Sequence, residues 1–201
     1  MPTPLLAYRH FHEQSNLATV FTVLLAEAGC KEFDPEVRGQ ELALHGLLQQ
    51  GPFIEGRGVT LANGLRYLRN ADFRGEILHD PQRTGALGER LRGERPGFEL
   101  ELLKDLDSPP PQPLLVERDF AAHQSLILVE ARAGLGRLPL HLLLVRPWED
   151  RWQIMNSDTG RNHDCSLEQL TRHLSCPVKF GATAFAGGLY VYTGLAIKVG
   201  R

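Results

Sequence analysis

The chain has 201 residues, 42% hydrophobic and 23% charged, which predicts one soluble globular domain with its own core and excludes a disordered tail. Its 22 basic residues against 24 acidic ones leave a net charge of -2, so no nucleic-acid partner is expected. No apolar run approaches membrane-spanning length, and none is expected to insert in a bilayer.

The opening MPTPLLAYRHFHEQ lacks the positive leader of a signal peptide. Cys30, Cys165 and Cys176 are an odd set without CxxC spacing, which argues against a disulfide scaffold or a zinc knuckle. The histidines are scattered and no HExxH occurs, so neither a metal nor a cofactor is expected. A cytoplasmic location, or secretion by a non-classical route, fits this cysteine usage.

In chain order, residues 16–29 read as a largely apolar helix, with Ser15 or Asn16 as cap and Gly29 as stop. A polar cluster precedes it: His10, His12, Glu13, Gln14, Ser15 and Asn16. Asp34-Pro35 is a cap-and-first-turn signal for a second helix running to Gly51. The glycine-rich loop 51–58 lacks the ending of a phosphate loop. Thr60 caps a third helix over residues 61–70. Residues 74–91 are polar and read as turns. Residues 98–103 suit a strand or a helix end, and the prolines of 105–113 forbid regular structure.

Beyond the prolines the period changes. Residues 114–116 and 125–130 look like strands, residues 166–170 begin a short helix under Ser166, and 190–192 and 195–199 give one or two closing strands. The fold class expected is α+β in a single domain: a helical half over about 14–104, a linker loop at 105–113, and an antiparallel sheet half over 114–201, with the helices on one side of the sheet.

The central stretch is HLLLVRPWEDRWQIMNSDTG, residues 141–160. Two apolar runs, 142–145 and 152–155, flank a turn at Pro147 to Asp150 and predict an antiparallel hairpin. Its open end brings His141 near Asn156 or Asp158. A histidine oriented by an amide or a carboxylate is two-thirds of a catalytic triad, and equally an ordinary polar strand end.

This order of elements resembles the compact branches of the papain-like cysteine peptidase superfamily: bacteriocin-leader peptidases, Josephin-type deubiquitinases, and bacterial effector proteases and deamidases. The resemblance implies a papain-like fold, with Gln14 as the oxyanion amide, His141 as the catalytic base, and Asn156, or alternatively Asp158, as the orienting residue. It implies a cysteine within residues 16–18, and Ala18 is the position that fits best. Ala18 then implies an engineered Cys-to-Ala change or a natural pseudoenzyme that binds protein. A false resemblance, with Ser15, Cys30 or Cys165 in another role, also stays open. With cysteine present, the family chemistry is acyl transfer through a thioester: peptide or isopeptide cleavage, or glutamine deamidation, on a protein or peptide substrate. A peptidoglycan amidase is a third possibility. Groove walls are expected from loops 51–58, 105–113 and 181–188.

Overall fold

The apolar runs of the second half form the middle of a six-stranded antiparallel sheet. The computed structural model describes residues 4–11, 15–34, 36–49, 59–91, 103, 106, 111–115, 119, 125–132, 140–175, 184–185 and 188–200. The strands are β1 (Arg74–His79), β2 (Ser125–Arg132), β3 (Leu140–Trp148), β4 (Arg151–Asn156), β5 (Arg161–Cys165), β6 (Ala184–Phe185) and β7 (Gly188–Gly200). They pair in the order β1-β7-β2-β3-β4-β5, with β6 against β7. The helices are α1 (Asn16–Glu27), α2 (Glu41–Leu48), α3 (Leu61–Asn70), α4 (Pro81–Leu91) and α5 (Leu167–Ser175).

Both faces of the sheet are covered, which is why SLILVE is apolar at consecutive positions and not alternating. Ile127, Val129, Leu142, Leu144 and Met155 point to one face and pack with Phe21 and Leu24 of α1, Leu44 of α2 and Leu65 of α3. Leu126, Leu128, Leu143, Val145 and Ile154 point to the other and pack with Leu170 of α5. Each fully buried Leu, Ile or Phe contributes about 1.5–3 kcal/mol relative to an exposed one.

The sequence expectation of helices first and sheet second is therefore corrected. The strand β1 enters the sheet before α4, and α5 lies between β5 and β6. The helices also occupy both faces, since α5 packs opposite α1. Residues 74–91, read as turns, are an edge strand and a helix. Asp80 caps that helix, its Oδ1 accepting from the amides of Gln82 (3.0 Å) and Arg83 (3.1 Å).

Other local signals held in part. Thr60 caps α3 through the Asn63 amide at 3.2 Å, and Gly29 leaves α1 at φ 79°. Ser15 stands at the N-cap of α1 but makes no side-chain cap. The second helix starts at Glu41, because Asp34 spends its cap on a local turn, accepting from the Glu36 amide at 2.9 Å, and Gly39 at φ 82° breaks the chain direction. Pro147 belongs to β3, opposite Trp152, and the turn is Glu149-Asp150, with Glu149 at φ 53°. Leu114 and Leu115 lie in no strand, and Val116 is outside the described residues. Residues 190–192 and 195–199 are one strand, β7, bent at Gly194 with φ 91°.

Candidate functional site

The hairpin forms with its open end beside the start of α1. Leu144 pairs with Met155, and the ladder continues to the closing rung Trp148–Arg151, so His141 and Asn156 share a face near the open end. His141 Nε2 lies 3.0 Å from Asn156 Oδ1 inside the protein, with His141 4% exposed and Asn156 fully buried. The amide oxygen only accepts, so Nε2–H donates. Asn156 Oδ1 accepts a second bond, from the Asp158 amide at 2.9 Å, which fixes its orientation.

The other ring nitrogen, Nδ1, sits 3.6 Å from Asp158 Oδ1. The same oxygen lies 3.6 Å from Nδ1 of His10, in the N-terminal segment. His10 Nδ1 is also 3.3 Å from Ser157 Oγ, and its backbone amide donates to the Ser157 carbonyl at 3.1 Å. One carboxylate thus stands between two imidazoles.

Asn16 ties α1 to this end of the hairpin. Its Oδ1 accepts from the Leu142 amide at 2.6 Å, and its Nδ2 donates to Ser157 Oγ at 2.6 Å and to the Leu142 carbonyl at 3.3 Å. Of the three positions considered for a nucleophile, the side chain that reaches the histidine strand is therefore Asn16. Ala18 is fully buried in the hydrophobic cluster between α1 and the sheet. Ser15 is turned away to Glu41, donating to its Oε1 at 3.2 Å.

No protein-family model matches the chain, and no curated protein matches it in sequence. The resemblance to papain-like cysteine peptidases with an alanine in place of the nucleophile is therefore corrected. No comparison supports a peptidase family, and Ala18 is an ordinary core residue of α1. The cysteines of this chain stand elsewhere: Cys30 just beyond the C-terminal end of α1, half-buried, and Cys165 buried at the end of β5, both with free thiols. Gln14, expected as the oxyanion amide, and Cys176 lie outside the described residues, as does all or most of each of the three loops expected to wall a groove.

Burial pushes the Cys165 thiol up to about 11 from its usual 9.0, with the neighbouring Asp164 carboxylate adding to it. Burial disfavours the thiolate, which is the attacking form, so Cys165 is a packing residue of the α5 face. The native protein should leave Cys165 unalkylated by iodoacetamide at pH 8, with labelling appearing only when urea unfolds it; peptide mass mapping reads this directly. A raised folded value also sets the sign with pH: stability is unaffected below about pH 9 and falls as the pH rises from 9 toward 11.

Among the described residues no group of three His, Cys, Asp or Glu side chains is placed to hold a metal ion. Among them, too, no helix is long and apolar enough to cross a membrane. A surface hollow of about 550 Å³, lined by Arg69, Asp72, Phe73, Arg74 and Gly75, lies at the α3–β1 turn and includes none of the residues named above. Two members of the polar cluster were not legible as site residues. His10 was noted only as part of a capping segment, and Glu41 carried no signal, because what places them is tertiary contact.

Proposed function

We propose that this chain recognises a protein or peptide through the polar open end of the β3–β4 hairpin, as a binding module without thiol chemistry. One observation carries this reading: His141 is held at Nε2 by Asn156 and meets the Asp158 carboxylate at Nδ1, where thiol hydrolysis needs a nucleophile. An imidazole next to a carboxylate, beside turn backbone that already accepts the His10 amide, offers the donors and acceptors that a polypeptide main chain uses.

A second reading is acyl-transfer hydrolysis of a peptide, isopeptide or glutamine amide. It is favoured by the 3.0 Å contact, which fixes the imidazole tautomer as hydrolytic sites do. It requires the nucleophile to come from solvent. One experiment separates the two. The full chain and His141→Ala are screened against a degenerate fluorescence-quenched peptide library, with fluorescence polarisation on the same peptides. Binding without turnover, weakened in His141→Ala, is the expected outcome. Turnover that His141→Ala abolishes establishes the hydrolase, and peptides that neither bind nor turn over sink both.

A further inference from the structure

One side of the sheet ends at β1, and that edge is only partly closed. The Asp80 amide donates across to the Gly194 carbonyl of β7 at 2.8 Å, whereas the His79 amide turns outward and donates to the Gln112 carbonyl at 2.9 Å. Gln112 returns the bond to the His79 carbonyl at 2.9 Å, which makes an antiparallel bridge. Main-chain groups alternate sides along a strand, so Glu76 and Leu78 face β7 while Gly75 and Ile77 face outward with His79. The chain that supplies Gln112 does not go on to pair with them. Leu115 is tied to Asp119 instead, its amide donating to Asp119 Oδ2 at 2.9 Å and its carbonyl accepting from the Asp119 amide at 2.8 Å. Among the described residues the outward N–H and C=O groups of Gly75 and Ile77 therefore have no partner. Such an edge is a template for a further strand.

We infer that this edge binds an extended peptide as an added antiparallel strand, with the peptide's C-terminal carboxylate in the hollow at the α3–β1 turn. The site is separate from the hairpin end and does not depend on what that end recognises. Direction comes from Gln112, which already pairs antiparallel with β1. A peptide running the same way past Ile77 and Gly75 heads toward Arg74, so its C-terminal end arrives at the hollow lined by Arg69, Asp72, Phe73, Arg74 and Gly75. Charge selects the carboxylate. The hollow sets two guanidiniums against the one acid, Asp72, and both arginines are exposed, without a hydrogen-bond or ion-pair partner for either guanidinium among the described residues. The last carbonyls of α3 do not take that place, since those of Tyr67, Leu68 and Arg69 accept from the amides of Ala71, Phe73 and Asp72. Charges that merely guard an edge against pairing would be spread along it. Here Glu76 is engaged by Gln112 Nε2 at 2.9 Å and Lys198 Nζ at 3.9 Å, which leaves Arg74, at the hollow, as the free charge of β1. Main-chain bonds along β1 supply affinity, and charge-assisted bonds to the arginines supply selectivity for a free C-terminus.

Amide hydrogen exchange of the full chain, read by NMR, tests the edge without a ligand. Gly75 and Ile77 should exchange about tenfold faster than Glu76 and Leu78, because only the latter two face β7. Protection of Gly75 and Ile77 equal to that of their neighbours would mean that the edge is already covered, and overturns the proposal. Binding is measured by fluorescence polarisation with fluorescein-labelled hexapeptides, randomised at their last four positions and carrying free C-termini. The tightest binders are then remade with an amidated C-terminus. Amidation and the double variant Arg69→Ala/Arg74→Ala should each weaken binding about tenfold, and the bound peptide should slow exchange at Gly75 and Ile77. Both arginines are exposed, so the variant keeps the fold, which an unchanged urea midpoint verifies. The absence of any binder overturns the site, as do equal affinity for the amide and affinity that survives the loss of both arginines. A peptide that binds without slowing Gly75 and Ile77 sits elsewhere, which overturns the edge and leaves the hairpin reading standing.

Discussion

His173→Ala should lower the stability of the folded chain by roughly 3–5 kcal/mol, the cost of leaving a buried carboxylate without its partner. Glu130 is fully buried on β2, and its Oε1 lies 2.9 Å from Nε2 of His173 on α5. Its other oxygen, Oε2, is buried without a hydrogen-bond partner. The carboxylate therefore depends on this one imidazole. The hydroxyl of Tyr192, on the next strand, is also buried and makes no hydrogen bond. Burial and then the Glu130 charge hold its phenol well above the usual tyrosine range. In urea titration His173→Ala should shift the midpoint strongly with little change in slope. The double variant Glu130→Leu/His173→Leu should recover most of the loss, because replacing both partners of a buried hydrogen-bonded pair by apolar groups can be nearly neutral. A His173→Ala midpoint within experimental error of the native one would show that the pair is not what docks α5 on the sheet.

The same pair illustrates what the sequence hid. The run SLILVE was legible as a strand, but nothing local says that its last residue turns inward to meet a histidine 43 positions later. Signals confined to a few residues were the dependable ones. Thr60 caps α3. Ser166 starts α5 through a reciprocal pair, its Oγ accepting from the Gln169 amide and its own amide donating to Gln169 Oε1. Asp80-Pro81 was an equally good start signal that went unread, because the six residues before it alternate only weakly, as an edge strand does. Asp34-Pro35 had the same form and misled. There the aspartate closes a turn, and the helix waits for Glu41.

Pro147 is a comparable case. A proline removes a ladder donor, which argued for a turn. The β2–β3 register ends at Val145, so beyond it, among the described residues, β3 pairs with β4 alone, and a missing N–H on an open side costs little.

For the site, sequence order was enough to bring His141 to Asn156 and Asp158, since a hairpin joins residues that are close in the chain. It was not enough to choose which residue of α1 faces them. Spacing pointed to Ala18, whereas the contact is made by Asn16, two positions earlier on the helix: at 100° per residue, two positions move a side chain to the opposite side. A helix whose residues are nearly all buried gives no amphipathic stripe from which that rotation could have been read.

Glu41→Ala should cost roughly 3 kcal/mol, because three hydrogen bonds to one buried carboxylate are lost together at about 1 kcal/mol or more each, although the Tyr8 hydroxyl keeps the Val37 carbonyl at 3.2 Å. The carboxylate is fully buried and accepts from the Tyr8 hydroxyl, the Phe11 amide and the Ser15 hydroxyl. It therefore joins the N-terminal segment 4–11, the start of α1 and the start of α2 at one point. Tyr8→Phe removes a donor along with its hydrogen bond and leaves nothing unpaired on the tyrosine side, so it should cost only about 1 kcal/mol. The ratio of the two losses, read from thermal or urea unfolding, is the diagnostic quantity. Alkaline pH gives a second check. Burial first, and the Glu41 hydrogen bond second, hold the Tyr8 phenol above its ordinary 10.0. The protonated phenol is the form that stabilises the fold, so its contribution is present below pH 10 and is lost as the pH climbs beyond that value. That loss should be smaller in Glu41→Ala, where only burial remains to raise the phenol. Equal losses for Glu41→Ala and Tyr8→Phe would mean that the Phe11 and Ser15 contacts contribute nothing, and that the N-terminal segment and α1 are held by apolar packing alone.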